Sequence, residues 1–372
     1  MCRSNRMKRI LREQWKHFLP ATLKPGPMRL GTLVFFAAER AMKSASGPRV
    51  MLMGGVVLGT VLLGQNLVVA QSGVYKSGVE LVPLTVTVTD RAGRYVPDLT
   101  AADFVIFEEG KPQVVSHFAA GHVPVDVGFL LDTSGSMQEV LALAQNAACG
   151  LVRQLRDGDR GAVAGIGSTV ALHQAMTPDL ARVDAALRST HPNGSTALYD
   201  AIYITLRQYQ QERLASSEVR RHVMVLLSDG IDTASHVTFD DVLDVVRRTD
   251  VTFYIVALAP DSAQMKGALA DRKSFESAYV LSALARESGG RLFNPHAARE
   301  LPAVYDAIGQ ELGNQYVIGY VPAAHGADGL FRRVSVGIVQ PRVGLARTRA
   351  GYYADAVRVG DRVSPYVGGL VR

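Results

Sequence analysis

The sequence predicts an α/β fold: a parallel-rich central sheet with one antiparallel edge strand and helices on both faces. Between residues 126 and 314, short apolar runs alternate with stretches of helical spacing, a pattern typical of parallel sheets. The runs are apolar throughout rather than at every second position, as burial on both faces of a sheet requires. With 372 residues, 48% of them hydrophobic, the chain can also bury a full core.

The predicted elements follow one another along the main domain, which we place at 124–314. Strands are predicted at 127–132, 161–167, 222–228, 252–258 and 291–294, and the antiparallel edge strand near 169–175. Helices are predicted near 138–156, 178–188, 198–214, 238–248, 276–288 and 299–313.

A small β module is predicted before this domain, at 76–120. The segment Val79–Thr89 largely alternates between apolar and polar residues, and Thr100–Asp103 is typical of a capped turn of helix. Phe104–Glu108 and Pro112–Phe118 are predicted to form a hairpin around the turn between them.

A β-strand extension is predicted after the domain, at 315–354. Gln315–Val321 and Arg332–Val339 are predicted to pair with each other in antiparallel fashion, and Gly351–Ala354 is predicted to close the fold. Residues 355–372 are predicted to be a frayed tail.

The positive charge of the chain is concentrated at its amino-terminal end. The net charge is +6. Residues 1–70 have a net charge of +9, so the remainder is mildly acidic. No basic stripe with interleaved aromatic residues occurs in that remainder, so we expect no nucleic-acid binding.

Residues 42–70 have the pattern of an export signal. Met42–Arg49 is a positively charged start, Val50–Gly64 is an apolar core, and the segment ends at Ala70 with the small residues that signal peptidase accepts. Cleavage after Ala70 would release a secreted or cell-envelope protein, in the periplasm or outside the cell.

Two interpretations of the start of the chain stay open. In the first, Met42 is the translation start and residues 1–41 are a misannotated extension. In the second, Met1 is the start and the apolar run remains as a membrane anchor. Only in the second case does the protein contact a membrane, through this segment.

Oxygen-bearing side chains gather where the predicted strands end. One group directly follows the strand at 127–132, another precedes the helix at 198–214, and a third follows the strand at 222–228. Ligands of open α/β sheets bind at this carboxyl edge, and oxygen ligands favour magnesium, manganese or calcium. The candidate metal ligands are Asp132, Ser134, Ser136, Thr196 and Asp229.

Two further acids near this edge have open roles. Asp200 either orients Thr196 or is a solvated acid on a helix face, and Asp232 either belongs to the site or caps the next turn.

Together these motifs resemble the metal-ion-dependent adhesion site of von Willebrand factor type A domains, and the chain resembles secreted bacterial proteins related to them. Two positions depart from the family pattern, because Ser228 stands where Thr is frequent and Ser195 where Gly is common. The matching segments are Leu99–Gly110, Asp132–Met137, Thr196–Ile202, Leu227–Asp232, Glu287–Arg291, Gln315–Tyr320 and Gly351–Ala354.

The resemblance implies a Rossmann-like domain that is not an enzyme. It implies a magnesium ion, or manganese or calcium, that captures an Asp or Glu carboxylate of a partner protein, as in cell adhesion. One alternative is a structural envelope or assembly protein whose metal site is vestigial. A remote alternative is a hydrolase with a His191–Ser134 pair, but no third catalytic member and no hydrolase motif is recognisable.

Overall fold

The computed structural model describes residues 81–121, 123–215, 220–258, 268–322, 328–340 and 343–354. The predictions for the amino-terminal extension, the export signal and the frayed tail lie outside these residues. Within the described ranges, no helix has both the length and the apolar character that crossing a membrane demands.

The described elements are bounded as follows. In chain order the strands are Val82–Asp90 (β1), Phe104–Glu108 (β2), Lys111–Gln113 (β3), Val115–Ala119 (β4), Val125–Asp132 (β5), Arg160–Ile166 (β6), Val170–Thr177 (β7), Arg221–Ser228 (β8), Val251–Ala257 (β9), Arg291–Phe293 (β10), Gln315–Tyr320 (β11), Phe331–Ile338 (β12), Val343–Arg347 (β13) and Gly351–Tyr353 (β14). The α-helices are Leu141–Val152 (α1), Leu180–Arg188 (α2), Leu198–Ala215 (α3), Phe239–Arg248 (α4), Ala268–Ser288 (α5) and Leu301–Gly313 (α6).

A six-stranded sheet forms the centre of the α/β part, in the order β10-β9-β8-β5-β6-β7. Neighbouring strands run parallel except β6 and β7, which run antiparallel at one edge. This confirms the predicted fold class. The predicted elements of this region are present with ends within four residues, except that α5 begins eight residues before the predicted start at 276. Its first turns carry Asp271, Arg272 and Lys273 instead of an apolar repeat.

Helices cover both faces of this sheet because its strands bury side chains on both. Val127 and Phe129 of β5 join the core beneath α1, α2 and α6. Leu130, which points to the opposite face, joins the core beneath α3, α4 and α5. This packing explains why the buried strands are continuous apolar runs.

The segments before and after the α/β part form two further four-stranded sheets, β13-β1-β11-β4 and β14-β12-β2-β3. The two sheets enclose one apolar core, to which Leu84 and Ile106 contribute from the earlier segment and Ile318 and Val334 from the later one. Each sheet contains strands from both segments, so the β module and the β extension of the sequence analysis build a single β-sandwich.

Two predicted strand pairings need correction. The predicted pairing of 315–321 with 332–339 is wrong, because β11 pairs with β1 and β4, whereas β12 pairs with β2 and β14. The predicted hairpin is confirmed only where β2 pairs with β3. After Val114, which is 85% exposed, the chain crosses to the other sheet as β4.

Candidate metal centre

The loop after β5 folds back as soon as the strand ends. The Asp132 carboxylate accepts a hydrogen bond of 2.9 Å from the backbone N–H of Ser134, which is an Asx turn. Thr133 holds the loop against the neighbouring strand by donating its N–H and its hydroxyl to the Ile166 carbonyl. The turn brings the hydroxyl oxygens of Ser134 and Ser136 to 3.0 Å from each other.

The loop after β8 completes the cluster. The Ser136 hydroxyl donates to the Asp229 carboxylate at 2.9 Å. The Ser228 hydroxyl, at the end of β8, donates to the second Asp132 oxygen at 2.7 Å. Four of the five predicted ligands are therefore joined by a continuous chain of hydrogen bonds that runs from Asp132 through the two serines to Asp229.

Thr196 lies in the third loop of this edge and is buried. The loop touches the serine turn through a backbone hydrogen bond of 3.3 Å from the Gly135 N–H to the Gly194 carbonyl. The Thr196 backbone exchanges hydrogen bonds with Thr233 in the loop after β8. Among the described residues, no hydrogen bond joins the Thr196 hydroxyl to the other four candidate ligands, so this residue is placed beside them rather than among them.

The surroundings of Asp132 disfavour its charged form. Burial raises the pKa of Asp132 above its ordinary value and the Asp229 carboxylate adds to this, while hydrogen bonds from Ser134 and Ser228 oppose it. Asp132, Ser134 and Asp229 are buried, whereas Ser136 is exposed. The charged form of Asp132 is therefore unfavourable in this cluster, which solvent reaches at Ser136.

The donor atoms fit a hard divalent cation. All are carboxylate or hydroxyl oxygens, which suits magnesium, manganese or calcium better than zinc or copper. In the part of the chain that the structure describes, no three His, Cys, Asp or Glu side chains form a metal-binding group. A cation at this edge would therefore depend on the serine hydroxyls as well as on the two carboxylates.

Asp200 takes neither of the roles predicted for it. It is buried, and its carboxylate accepts hydrogen bonds from the backbone N–H groups of His236 at 2.9 Å and Val237 at 3.0 Å. The His236 ring nitrogen Nδ1 lies 3.0 Å from its other oxygen. Asp200 thus anchors the loop that leads into α4.

Asp232 caps the turn that follows it, as predicted, since one of its carboxylate oxygens accepts a hydrogen bond of 3.3 Å from the Ser235 N–H, and it also caps α3. Its carboxylate accepts hydrogen bonds from the backbone N–H groups of Leu198 at 2.8 Å and Tyr199 at 3.3 Å. The cap holds the start of α3 directly after Thr196.

Sequence reasoning missed two contributors to this site. Ser228 was recognised only as a substitute for Thr, although its position before an Asp-Gly pair at a strand end could have indicated contact with Asp132. The Asp232 cap had no local signal, because the helix that it caps begins 34 residues earlier in the chain.

The geometry does not assemble the hydrolase pair. Ser134 is buried and its hydroxyl lies against Ser136, whereas His191 is exposed. In the described ranges no hydrogen bond links His191 to Ser134.

Comparison with known proteins identifies one family. The family model described as the von Willebrand factor type A domain matches residues 126–306. No curated protein sequence matches the chain.

Several solved structures are similar at low identity. The conserved hypothetical protein BatB from Bacteroides thetaiotaomicron is 16% identical, with 50% of this chain and 97% of that chain covered and a TM-score of 0.38. The vWF domain of the type V pili tip protein Mfa5 from Porphyromonas gingivalis is 14% identical, with 56% and 100% covered and a TM-score of 0.40. A von Willebrand factor type A protein from Catenulispora acidiphila is 13% identical, with 75% and 73% covered and a TM-score of 0.39.

Proposed function

We propose that this chain, in which residues 126–306 form a von Willebrand factor type A domain, is an exported adhesion-type protein that binds a protein partner through a divalent cation. The ion, Mg²⁺ or Mn²⁺ and less favourably Ca²⁺, would be held by Asp132, Ser134, Ser136, Thr196 and Asp229. One observation carries the proposal: a chain of hydrogen bonds gathers the side-chain oxygens of Asp132, Ser134, Ser136 and Asp229, and Ser136 is exposed to solvent.

The donor set explains why a partner carboxylate is the expected ligand. Serine and threonine hydroxyls are neutral, so they leave more positive charge on a bound ion than carboxylates would. Magnesium retains exchangeable positions beside a small number of protein ligands. The bound ion would supply a positive centre at the surface, and an Asp or Glu of the partner would complete its coordination beside Ser136.

The buried negative charge supports the same conclusion. The pKa of Asp132 is raised by burial and by Asp229, so the fully ionised pair is unfavourable by itself. A divalent cation between the carboxylates would remove this repulsion. The export signal predicted at 42–70 supports a location outside the cytoplasm.

The double substitution Ser134→Ala with Ser136→Ala tests the proposal. It removes two donor oxygens and leaves both carboxylates in place, so we expect Mn²⁺ binding, measured by isothermal titration calorimetry, to weaken at least about tenfold. Binding to partners in a cell-envelope extract should require Mg²⁺, be abolished by EDTA and be lost in the double variant. The matched control replaces two exposed serines outside the site, Ser282→Ala with Ser335→Ala, and should behave as the wild type.

The outcome also separates the alternatives. A structural envelope protein with a vestigial site would keep its partners in the double variant and in EDTA. A hydrolase would show turnover that depends on Ser134, and such turnover would contradict a purely adhesive role.

A further inference from the structure

A cavity of about 270 Å³ adjoins the candidate metal centre on the far side of Asp229. The ends of β8, β9 and β10 and one face of α5 enclose it. Its walls include Asp229, Ile231, Leu258, Leu281 and Leu292, and His296 lies at its exposed rim. The cavity therefore opens at the same edge of the sheet as the hydrogen-bonded cluster and shares one carboxylate with it.

The backbone keeps the cavity next to the cluster. Gly230 has a φ of +76°, and a Cβ at this position would lie 2.8 Å from Leu281 of α5. The Leu258 N–H donates to the Ser228 carbonyl at 3.2 Å, which holds the end of β9 beside the end of β8. The loop that carries Asp229 is thus packed directly on the helix that forms the opposite wall.

Two exposed aromatic side chains lie on α5 beside residues that line the cavity. Phe275 is 78% exposed and Tyr279 is 62% exposed, one helical turn apart on α5. Between them, Ser277 and Ala278 line the cavity. Clusters of exposed aromatic side chains beside a pocket are typical of surfaces that bind other proteins.

We propose that this cavity receives an apolar side chain, of the size of Leu, Met or Phe, that stands next to the metal-binding Asp or Glu in the partner's sequence. The inference rests on the proposed function and specifies its partner: an acid followed or preceded by a large apolar residue. The argument rests on Asp229, which lines the cavity and also accepts the hydrogen bond from Ser136. A residue next to the partner's acid would therefore lie close to the cavity. Seven of the eleven lining residues are apolar, the others being Asp229, Ser277, Asn294 and His296. This lining favours an apolar occupant, since an unpaired polar group buried against it would lose its hydration.

Short blocked peptides test the specificity directly. The probes are acetyl-Gly-Gly-Asp-Gly-Gly-amide and the two peptides in which Phe replaces the Gly before or after Asp, each titrated by NMR with Mg²⁺ present. Burial of one large side chain predicts that at least one Phe peptide binds about tenfold more tightly than the Gly peptide.

Two matched variants test whether the preference for Phe depends on the cavity. Ala278→Trp places a large ring over the cavity from an exposed position on α5, and we expect it to remove the preference for Phe. Ser282→Trp adds the same ring one turn further along α5, at an exposed position outside the cavity, and should keep the preference. Binding of Mn²⁺ alone should be the same in both variants and the wild type.

The results distinguish a failure of the proposed function from a failure of the inference about the cavity. If Mn²⁺ does not bind to the wild type, the proposed function fails. If Mn²⁺ and the Gly peptide bind but Phe adds nothing, or if the preference survives in Ala278→Trp, the inference about the cavity is wrong. A Phe peptide that binds equally well with Asn in place of Asp would also overturn it, because the cavity would then act independently of the ion.

Discussion

Ser228 occupies a position that controls the candidate metal centre without being one of its predicted ligands. Its hydroxyl donates to Asp132 at 2.7 Å and accepts from the Gly230 N–H at 2.9 Å. It therefore aims the Asp132 carboxylate and ties together the two loops that supply the carboxylates. The side chain is fully buried, so no water replaces these hydrogen bonds when the hydroxyl is removed.

We expect Ser228→Ala to weaken Mn²⁺ binding by about 10- to 100-fold, the usual effect of removing a residue that orients a metal ligand. Ser228→Thr keeps the hydroxyl and should retain most of the affinity. Isothermal titration calorimetry measures the affinity, and thermal unfolding shows whether both variants are folded. Equal affinities for the Ala and Thr variants would mean that this hydroxyl does not position Asp132.

The contacts of a site residue can be predicted from the sequence when they depend on its own strand, but not when they depend on a distant loop. The proximity of Asp132, Ser134, Ser136 and Asp229 was predictable because each ends or follows a strand that is recognisable from its own apolar run. The role of Asp200 was not, because its partners are backbone groups of His236 and Val237 in a loop 36 residues away. Nothing in the local sequence indicates where the N–H groups of a distant loop point.

At the scale of elements, α3 depends on a residue from another loop. The carboxylate of Asp232 accepts hydrogen bonds from the Leu198 and Tyr199 N–H groups, and it also accepts one of 2.6 Å from the Ser235 hydroxyl. The start of α3 is therefore attached to the loop that follows Asp229. This attachment holds the Thr196 loop against the sheet edge that carries Asp132 and Asp229.

Asp232→Ala should lower the free energy of unfolding by about 1 kcal/mol, the usual contribution of a helix cap. It should also weaken Mn²⁺ binding, because the Thr196 loop loses its attachment. Asp232→Asn keeps an oxygen that can accept the same hydrogen bonds and should preserve both quantities. Urea unfolding and calorimetry measure them, and an unchanged stability in the Ala variant would refute the capping role.

A second set of elements meets at the opposite edge of the sheet, around Asp126. This buried carboxylate at the start of β5 accepts hydrogen bonds from Arg160, at the start of β6, and from Arg220, directly before β8. Burial alone would raise the pKa of Asp126, but the hydrogen bonds and charges of the two arginines outweigh it and hold the pKa below its ordinary value.

The direction of this shift predicts how stability depends on pH. A carboxylate with a lowered pKa stabilises the folded state above the pKa of the unfolded chain, about 3.9 for Asp. That stabilisation is lost as the pH falls through the lower pKa of the folded state. Asp126→Asn should therefore be less stable than the wild type at neutral pH, and urea unfolding at a series of pH values should show the difference shrinking in acid. A difference that stays constant down to the acidic limit would contradict the ion-pair account.

The elements themselves were predictable in the α/β part and not in the β-sandwich. Strands such as β8 are marked by their own apolar residues, and parallel strands with intervening helices have few alternative arrangements. The pairing of β11 was not predictable, because its partner β1 lies more than 200 residues earlier in the chain. The alternation of apolar and polar residues in β1 is compatible with several partner strands, and β11 is buried along its whole length, so neither strand specifies its partner.

At the scale of the whole molecule, one buried acid joins the β-sandwich to the α/β part. Glu311 of α6 accepts hydrogen bonds from Thr87 of β1 at 3.0 Å and from Tyr254 of β9 at 2.7 Å. It also forms an ion pair with Arg347 of β13. Three elements outside α6, two of them in the sandwich, therefore meet at one carboxylate that is 1% exposed.

We expect this arrangement to make the sandwich and the α/β part unfold together. Removing this buried carboxylate leaves the Thr87 and Tyr254 hydroxyls without their acceptor and the partly exposed Arg347 without its counter-charge. Glu311→Ala should therefore lower the free energy of unfolding by about 3–5 kcal/mol. Glu311→Gln keeps the volume and one acceptor oxygen and should cost less. The neighbouring exposed Gln310→Ala is the control for helix α6 and should have little effect.

Hydrogen exchange shows whether Glu311 stabilises the whole molecule or only the sandwich. If Glu311 stabilises the molecule as one unit, the amides of β1 and β11 in the sandwich and of β5 and β8 in the central sheet should lose protection by the same factor in Glu311→Ala. If only β1 and β11 exchange faster while β5 and β8 keep their wild-type rates, the sandwich unfolds independently. Glu311 would then stabilise the sandwich alone.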